Sequence, residues 1–204
     1  MLNNVEARVL GALIEKEITT PEYYPLTLNA LVNACNQKSN RDPVVSYDED
    51  TVEDALESLR AKSLAVRITG AGTRVPKHAH RFSEKFNFGR REVAILCELM
   101  LRGPQTLGEL RTHADRLHHF DDLGELETVL QRLSEQVTKL ARQPGEKESR
   151  YAHLFFGEPQ VATAELAMPE RRDRIGELEA EVACLRAEME SLKTQFADFR
   201  RQFE

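Results

Sequence analysis

Apolar residues recur along the chain at helical spacing, broken by proline, glycine and polar clusters. Leu2, Val5, Val9 and Leu13 fall on one helical face, with Asn3 and Glu6 spaced as an N-cap and its N3 partner. Pro21 and Pro25 bracket a non-helical connection. A short second helix is predicted from Thr27, burying Leu28, Leu31 and Val32. A third is predicted from Asp48, with Val52, Ala55, Leu56 and Leu59 at i, i+3, i+4 and i+7. Residues 64–68 and 74–82 then read as a β-hairpin turning at Gly70-Ala71-Gly72.

The same plan returns. A helix burying Val93, Leu96, Cys97 and Met100 stops at Gly103-Pro104, and Thr106 with Glu109 makes a capping box for the next. Asp122 caps a third helix that buries Leu126, Val129, Leu130 and Leu133, and residues 137–142 and 150–155 close a hairpin around Gly145. Four short matches recur in order, at offsets of 86 residues (6 to 92), 79 (27 to 106), 74 (52 to 126) and 73 (77 to 150). Four matches in order indicate a duplicated unit. The shrinking offset puts extra residues of the first copy between its first and second helices and between its second and third.

Three helices closed by a hairpin is the winged helix-turn-helix order, with the third helix in the recognition position and the hairpin as wing. The alternative is an α+β domain that packs the same elements otherwise. The expected fold is therefore mainly α with small β-hairpins (α+β): winged-helix domains at 1–84 and 85–157, a linker at 158–170, and a coiled-coil helix at 171–204. In that last segment Ile175, Leu178, Val182, Leu185, Met189, Leu192, Phe196, Phe199 and Phe203 alternate in steps of three and four, the seam of a coiled coil. In a parallel dimer, Arg174 meets Glu179, Glu181 meets Arg186 and Glu188 meets Lys193, all opposite in sign. A homodimer is expected, the alternative being a helix folded back on its own domain.

The motifs Glu6-Ala7-Arg8-Val9-Leu10-Gly11, Ile14-Glu15-Lys16-Glu17-Ile18-Thr19-Thr20-Pro21, Asn33-Ala34-Cys35-Asn36-Gln37-Lys38-Ser39-Asn40-Arg41-Asp42-Pro43 and Leu99-Met100-Leu101-Arg102-Gly103-Pro104-Gln105-Thr106 carry a further signal. Over residues 1–157 the chain resembles the YceH family of uncharacterised bacterial proteins. The resemblance implies tandem winged-helix domains in a cytoplasmic protein, and it transfers no activity and no catalytic residue.

Composition narrows the function. The 204 residues are 41% hydrophobic and 30% charged, and no apolar run approaches the length of a membrane span. The N-terminus lacks a basic region followed by an apolar one, so no secretory signal is expected and a cytoplasmic address is. Cys35, Cys97 and Cys184 form no C-x-x-C pair, which argues against a zinc ribbon or a disulfide scaffold. No phosphate loop, serine elbow or H-E-x-x-H pair is present, and His118-His119 lacks partners for a metal. Neither an enzyme nor a cofactor is expected.

The net charge is −6, and neither copy is basic: residues 1–84 carry 10 basic and 12 acidic side chains, residues 85–160 carry 11 and 12. Asp48, Glu49, Asp50, Glu53, Asp54 and Glu57 crowd the third helix, where phosphates would repel them. Candidate DNA or partner contacts therefore lie beside it. They are the loop Asn36, Gln37, Lys38, Ser39, Asn40 and Arg41, and the wing residues Arg67, Arg74, Lys77, His78 and Arg81. The loop has a second reading as a self-bonded turn, and the wing as a solvated strand face. Two functions follow: a DNA-binding, transcription-regulator-like dimer, placed first, or a protein-docking adaptor like the acidic winged helices of chromosome-condensation complexes.

Overall fold

Asn3 opens the first helix, α1 (Asn4–Thr19), with a complete capping box: its side chain accepts from the Glu6 N–H, and Glu6 accepts from the Asn3 N–H. The computed structural model describes residues 1–69, 75–142, 145–156 and 189 of the chain. Two units divide it, Met1–Pro159 and Gln160–Glu204. Of the second only Met189 is described, an exposed residue in helical conformation. The seam residues Ile175, Leu178, Val182, Leu185, Leu192, Phe196, Phe199 and Phe203, together with Cys184, lie outside the described residues.

Within the first unit the order is α1, β1 (Leu26–Thr27), α2 (Leu28–Cys35), α3 (Glu49–Ala61), β2 (Ala65–Ile68), β3 (Lys77–His80) and α4 (Phe82–Phe86). It continues with α5 (Arg90–Arg102), α6 (Leu107–Ala114), α7 (Leu123–Arg132), β4 (Val137–Lys139) and β5 (Tyr151–His153). The described residues are thus mostly helical, with two small antiparallel sheets ordered β1-β3-β2 and β4-β5. Thr27, Asp48, Thr106 and Asp122 cap α2, α3, α6 and α7, each side chain accepting a backbone N–H three residues on. No described helix is long and apolar enough to cross a membrane.

The two halves repeat in pairing as well as in order. Ala65 pairs with His80 as Val137 pairs with His153, and Leu26 faces His78 as Gln105 bridges Tyr151. Corresponding positions also touch one another. The Cys97 thiol donates to the carbonyl of Gly11, 86 residues earlier, and the rings of Phe82 and Phe155 meet edge to face at 5.5 Å. A residue meets its own counterpart only near a local two-fold axis, so α1 and α5 cross as an isologous pair.

That crossing changes one expectation. The sequence pattern gives each first helix a single apolar stripe, yet α1 is buried continuously from Glu6 to Glu15 and α5 from Val93 to Leu101. The second face of each helix is covered by the other. At the crossing Gly11 leaves no room: a Cβ there would stand 2.9 Å from Leu101 Cδ2 and 3.0 Å from its Cγ.

The first hairpin is also shorter than predicted. β3 ends at His80, and Phe82 begins α4, packing with Phe86, Phe88 and Phe155 in an aromatic cluster that a continued strand would leave open. Asn87 closes α4 at φ +54°, a left-handed conformation that Asn tolerates. The predicted turn at Gly70-Ala71-Gly72 and the wing residue Arg74 lie outside the described residues.

Candidate functional site

The connection from α2 to α3 is one of the two places where the first copy carries extra length, and most of its polar side chains are turned to internal use. Asn36 joins the two ends of the loop, its amide donating to the Tyr47 carbonyl at 2.7 Å and accepting the Tyr47 N–H at 2.8 Å. Gln37 accepts from Arg41 and from Lys16. Asn40, in the left-handed region at φ +58°, accepts from Arg102. Lys38 and Ser39 are exposed.

Arg41 departs most from the reading as a phosphate contact. Its side chain is fully buried and forked onto Glu15, with N–O distances of 3.0 and 2.5 Å, and it also donates to the Ala34 and Asn40 carbonyls. A guanidinium so engaged has no free edge for a phosphate, and the loop is the self-bonded turn instead. Glu15 is equally buried, and Arg116 from the connection between α6 and α7 reaches it as well. Burial works to raise the Glu15 carboxyl, but Arg41 and Arg116 overcome it and hold the group down at about 2.

Glu98 of α5 lies in the same cluster, contacted by Arg116 at 2.7 Å and Arg102 at 3.2 Å. Its balance falls the other way, since burial exceeds the pull of its partners and raises the carboxyl above its ordinary value. Each copy thus sends an arginine inward from its connection between second and third helices, and both arrive at Glu15. Sequence reasoning missed Glu15, Glu98 and Arg116. The available signal was a charged residue inside an otherwise apolar helical stretch, which is seldom buried without a partner.

The residues predicted to form a wing are mixed in placement. Arg67 and Arg81 are exposed, Lys77 is half-buried, and His78 is buried beside β2. Burial, with Arg60 and Arg67 nearby, lowers the His78 pKa, so the ring stays neutral near pH 7. Arg81 lies 3.9 Å from Glu84. Arg91, from the junction of the halves, pairs with Glu125 at 3.0 Å.

The face of α3 is different. Glu49, Asp50, Glu53, Asp54 and Glu57 are all exposed, and only Glu57 has an ion-pair partner among the described residues, Arg60 at 3.1 Å. α7 is less acidic outwardly, because Asp122 is spent on its cap and Glu125 on Arg91.

Cys35 and Cys97 are buried free thiols, and burial lifts the Cys35 pKa to about 12. His119 bonds to Asp115 while His118 packs on Phe120, and no cluster of metal-ligating side chains occurs among the described residues. The Tyr24 hydroxyl accepts the His80 N–H, while Tyr23 is exposed.

Residues 2–146 match the family model described as "Protein of unknown function, DUF480". A UPF0502 protein of Solibacter usitatus is 60% identical over all of this chain and 98% of its own length. UPF0502 proteins of Geotalea uraniireducens and Geobacter sulfurreducens are 55% and 52% identical, covering all of this chain and 98% and 99% of theirs. The chain belongs to the DUF480/UPF0502 family, of which YceH is a member, in agreement with the resemblance drawn from its motifs.

Proposed function

We propose that this DUF480/UPF0502 chain is a non-enzymatic adaptor: two tandem winged helix-turn-helix domains, fixed on one another, that dock a basic protein surface through α3. The observation that carries this reading is the row of exposed carboxylates Glu49, Asp50, Glu53, Asp54 and Glu57 on the helix that would otherwise enter a DNA groove. A duplex presents one phosphate charge per ~1.7 Å of axis, so these side chains would meet like charge wherever the helix approached the backbone. The expected compensation from the neighbouring loop is weak, because Arg41 is consumed by Glu15. The heptads of residues 171–204, with their complementary flanking charges, support a parallel homodimer that doubles the docking faces. The action is assigned to the cytoplasm.

The test is recovery of the tagged full-length chain from its own bacterium with nuclease treatment in parallel. Partner proteins should survive nuclease and be lost when Glu53 and Glu57 are both changed to Lys. Recovery that nuclease abolishes, or that charge reversal leaves unchanged, overturns the reading.

A second reading keeps DNA as the partner, supported by the exposed Arg67 and Arg81 with Lys77 along the first hairpin. It requires the wing to contact phosphates while α3 stands outside the groove. Substituting these three by Ala would then remove a salt-dependent DNA affinity.

A further inference from the structure

The repeat register gives His80 and His153 the same place, on β3 and β5, yet their surroundings differ. His80 accepts the Phe82 N–H at Nδ1 and reaches Glu17 through Nε2 at 2.7 Å. At the offset of 86 residues shared by α1 and α5, residue 103 takes the place of Glu17, and it is Gly103, the residue that ends α5. His153 is buried, and its Nδ1, the atom that in His80 accepts the Phe82 N–H, has no hydrogen-bond partner among the described residues.

Where the first copy has a carboxylate, the second has open space. A cleft of about 250 Å³ lies between the halves, lined by Gly103 and His153 of the second and by Arg8 of α1. Arg8 is 4% exposed, and no carboxylate pairs with it among the described residues. It donates to the Cys35 carbonyl at 3.2 Å and the Pro43 carbonyl at 2.7 Å, and its Nε has no partner among the described residues. Of five N–H donors two are used. A buried guanidinium that hydrogen-bonds only carbonyl oxygens and forms no ion pair among the described residues is costly, and an anion would relieve that cost. The rest of the lining includes Val45, Leu99, Met100 and Phe156, with the single carboxylate Asp42 on an exposed loop position.

We propose that this cleft binds a small organic monocarboxylate, its carboxylate answering Arg8 beside His153 and its apolar body lying against Val45, Leu99, Met100 and Phe156. The volume suits a body of one ring or a short branched chain, and the apolar wall selects against a bare inorganic anion. Guanidinium recognition of a carboxylate is directional and strengthened by burial, which gives the charged head most of the affinity. The site is independent of α3.

The experiment is an NMR titration of the full-length protein with benzoate and with isovalerate, using benzyl alcohol and inorganic phosphate as controls. Saturable shifts of the Leu99 and Met100 amides and of the Arg8 Nε–H are expected with at least one carboxylate. Benzyl alcohol should bind on the order of tenfold more weakly, as should benzoate to Arg8→Met. Val45→Trp, which fills the cleft while leaving Arg8 in place, should abolish binding with the core resonances unmoved. It decides the matter should Arg8→Met fail to fold. The proposal is overturned by absence of saturable shifts with both carboxylates, by equal binding of benzyl alcohol, by binding of phosphate alone, or by benzoate binding that Val45→Trp does not change.

Discussion

The two copies differ most where they hold each other. In the first, the long connection after α2 folds back and delivers Arg41 to Glu15, with Asn36 and Tyr47 closing its base. In the second, a short connection after α6 delivers Arg116 to Glu98 and across to Glu15. One carboxylate, Glu15, therefore receives both arginines and has its pKa held down, whereas burial raises that of Glu98, whose partners are partly exposed. The lesson is that duplication preserved the scaffold, and the inserted loop turned one copy into the anchor of the other.

Breaking that asymmetry should have the largest effect. Glu15→Ala leaves Arg41 buried without a counter-charge and should cost about 3–5 kcal/mol, read by urea unfolding. Glu98→Ala should cost roughly half as much, since Arg102 and Arg116 can turn to water. Equal losses would dissolve the distinction between the carboxylates.

The paired histidines sharpen it further. Burial lowers the His153 pKa to about 4, below its ordinary 6.5. As pH falls from about 6.5 to about 4, the unfolded chain takes up this proton and the folded chain does not, so stability declines over that window. The ceiling is roughly 3 kcal/mol. His153→Phe should remove that part of the acid loss, seen as a flatter profile of unfolding free energy between those pH values. A slope unchanged from the wild type would mean that His153 titrates normally.

Gly11→Val tests the crossing itself. Its side chain meets the buried Leu101, and the loss should be about 2 kcal/mol by thermal or urea unfolding. The smallest effects belong to the helix caps: Asn3→Ala and Thr106→Ala each remove one capping box and should each cost about 1 kcal/mol.

Local signals were legible in the sequence. The caps at Asn3, Thr27, Asp48, Thr106 and Asp122 and the apolar spacing of α3 and α7 follow from neighbouring residues, and the repeat from matches in order along the chain. What was not legible needed the packing between copies. Nothing local says that Arg41, in a loop of Asn, Gln, Ser and Lys, threads inward to Glu15, 26 residues earlier. Nor does it say that α1 and α5 each bury a second face. Phe82 reads as the end of a strand until Phe155 is seen to complete its cluster. The cleft at Arg8 and His153 combines side chains from both copies, and only their juxtaposition reveals it.

The most direct test of the docking assignment is titration of a fluorescent mixed-sequence duplex with full-length protein, from about 50 to about 200 mM salt. Wild type is compared with a variant carrying Glu49, Glu53 and Glu57 all changed to Lys. The account predicts weak binding by the wild type and a strong, steeply salt-dependent affinity gained by the variant, because only the sign of α3 keeps the fold from phosphate. Tight, salt-steep binding by the wild type that vanishes when Arg67, Lys77 and Arg81 become Ala would contradict it.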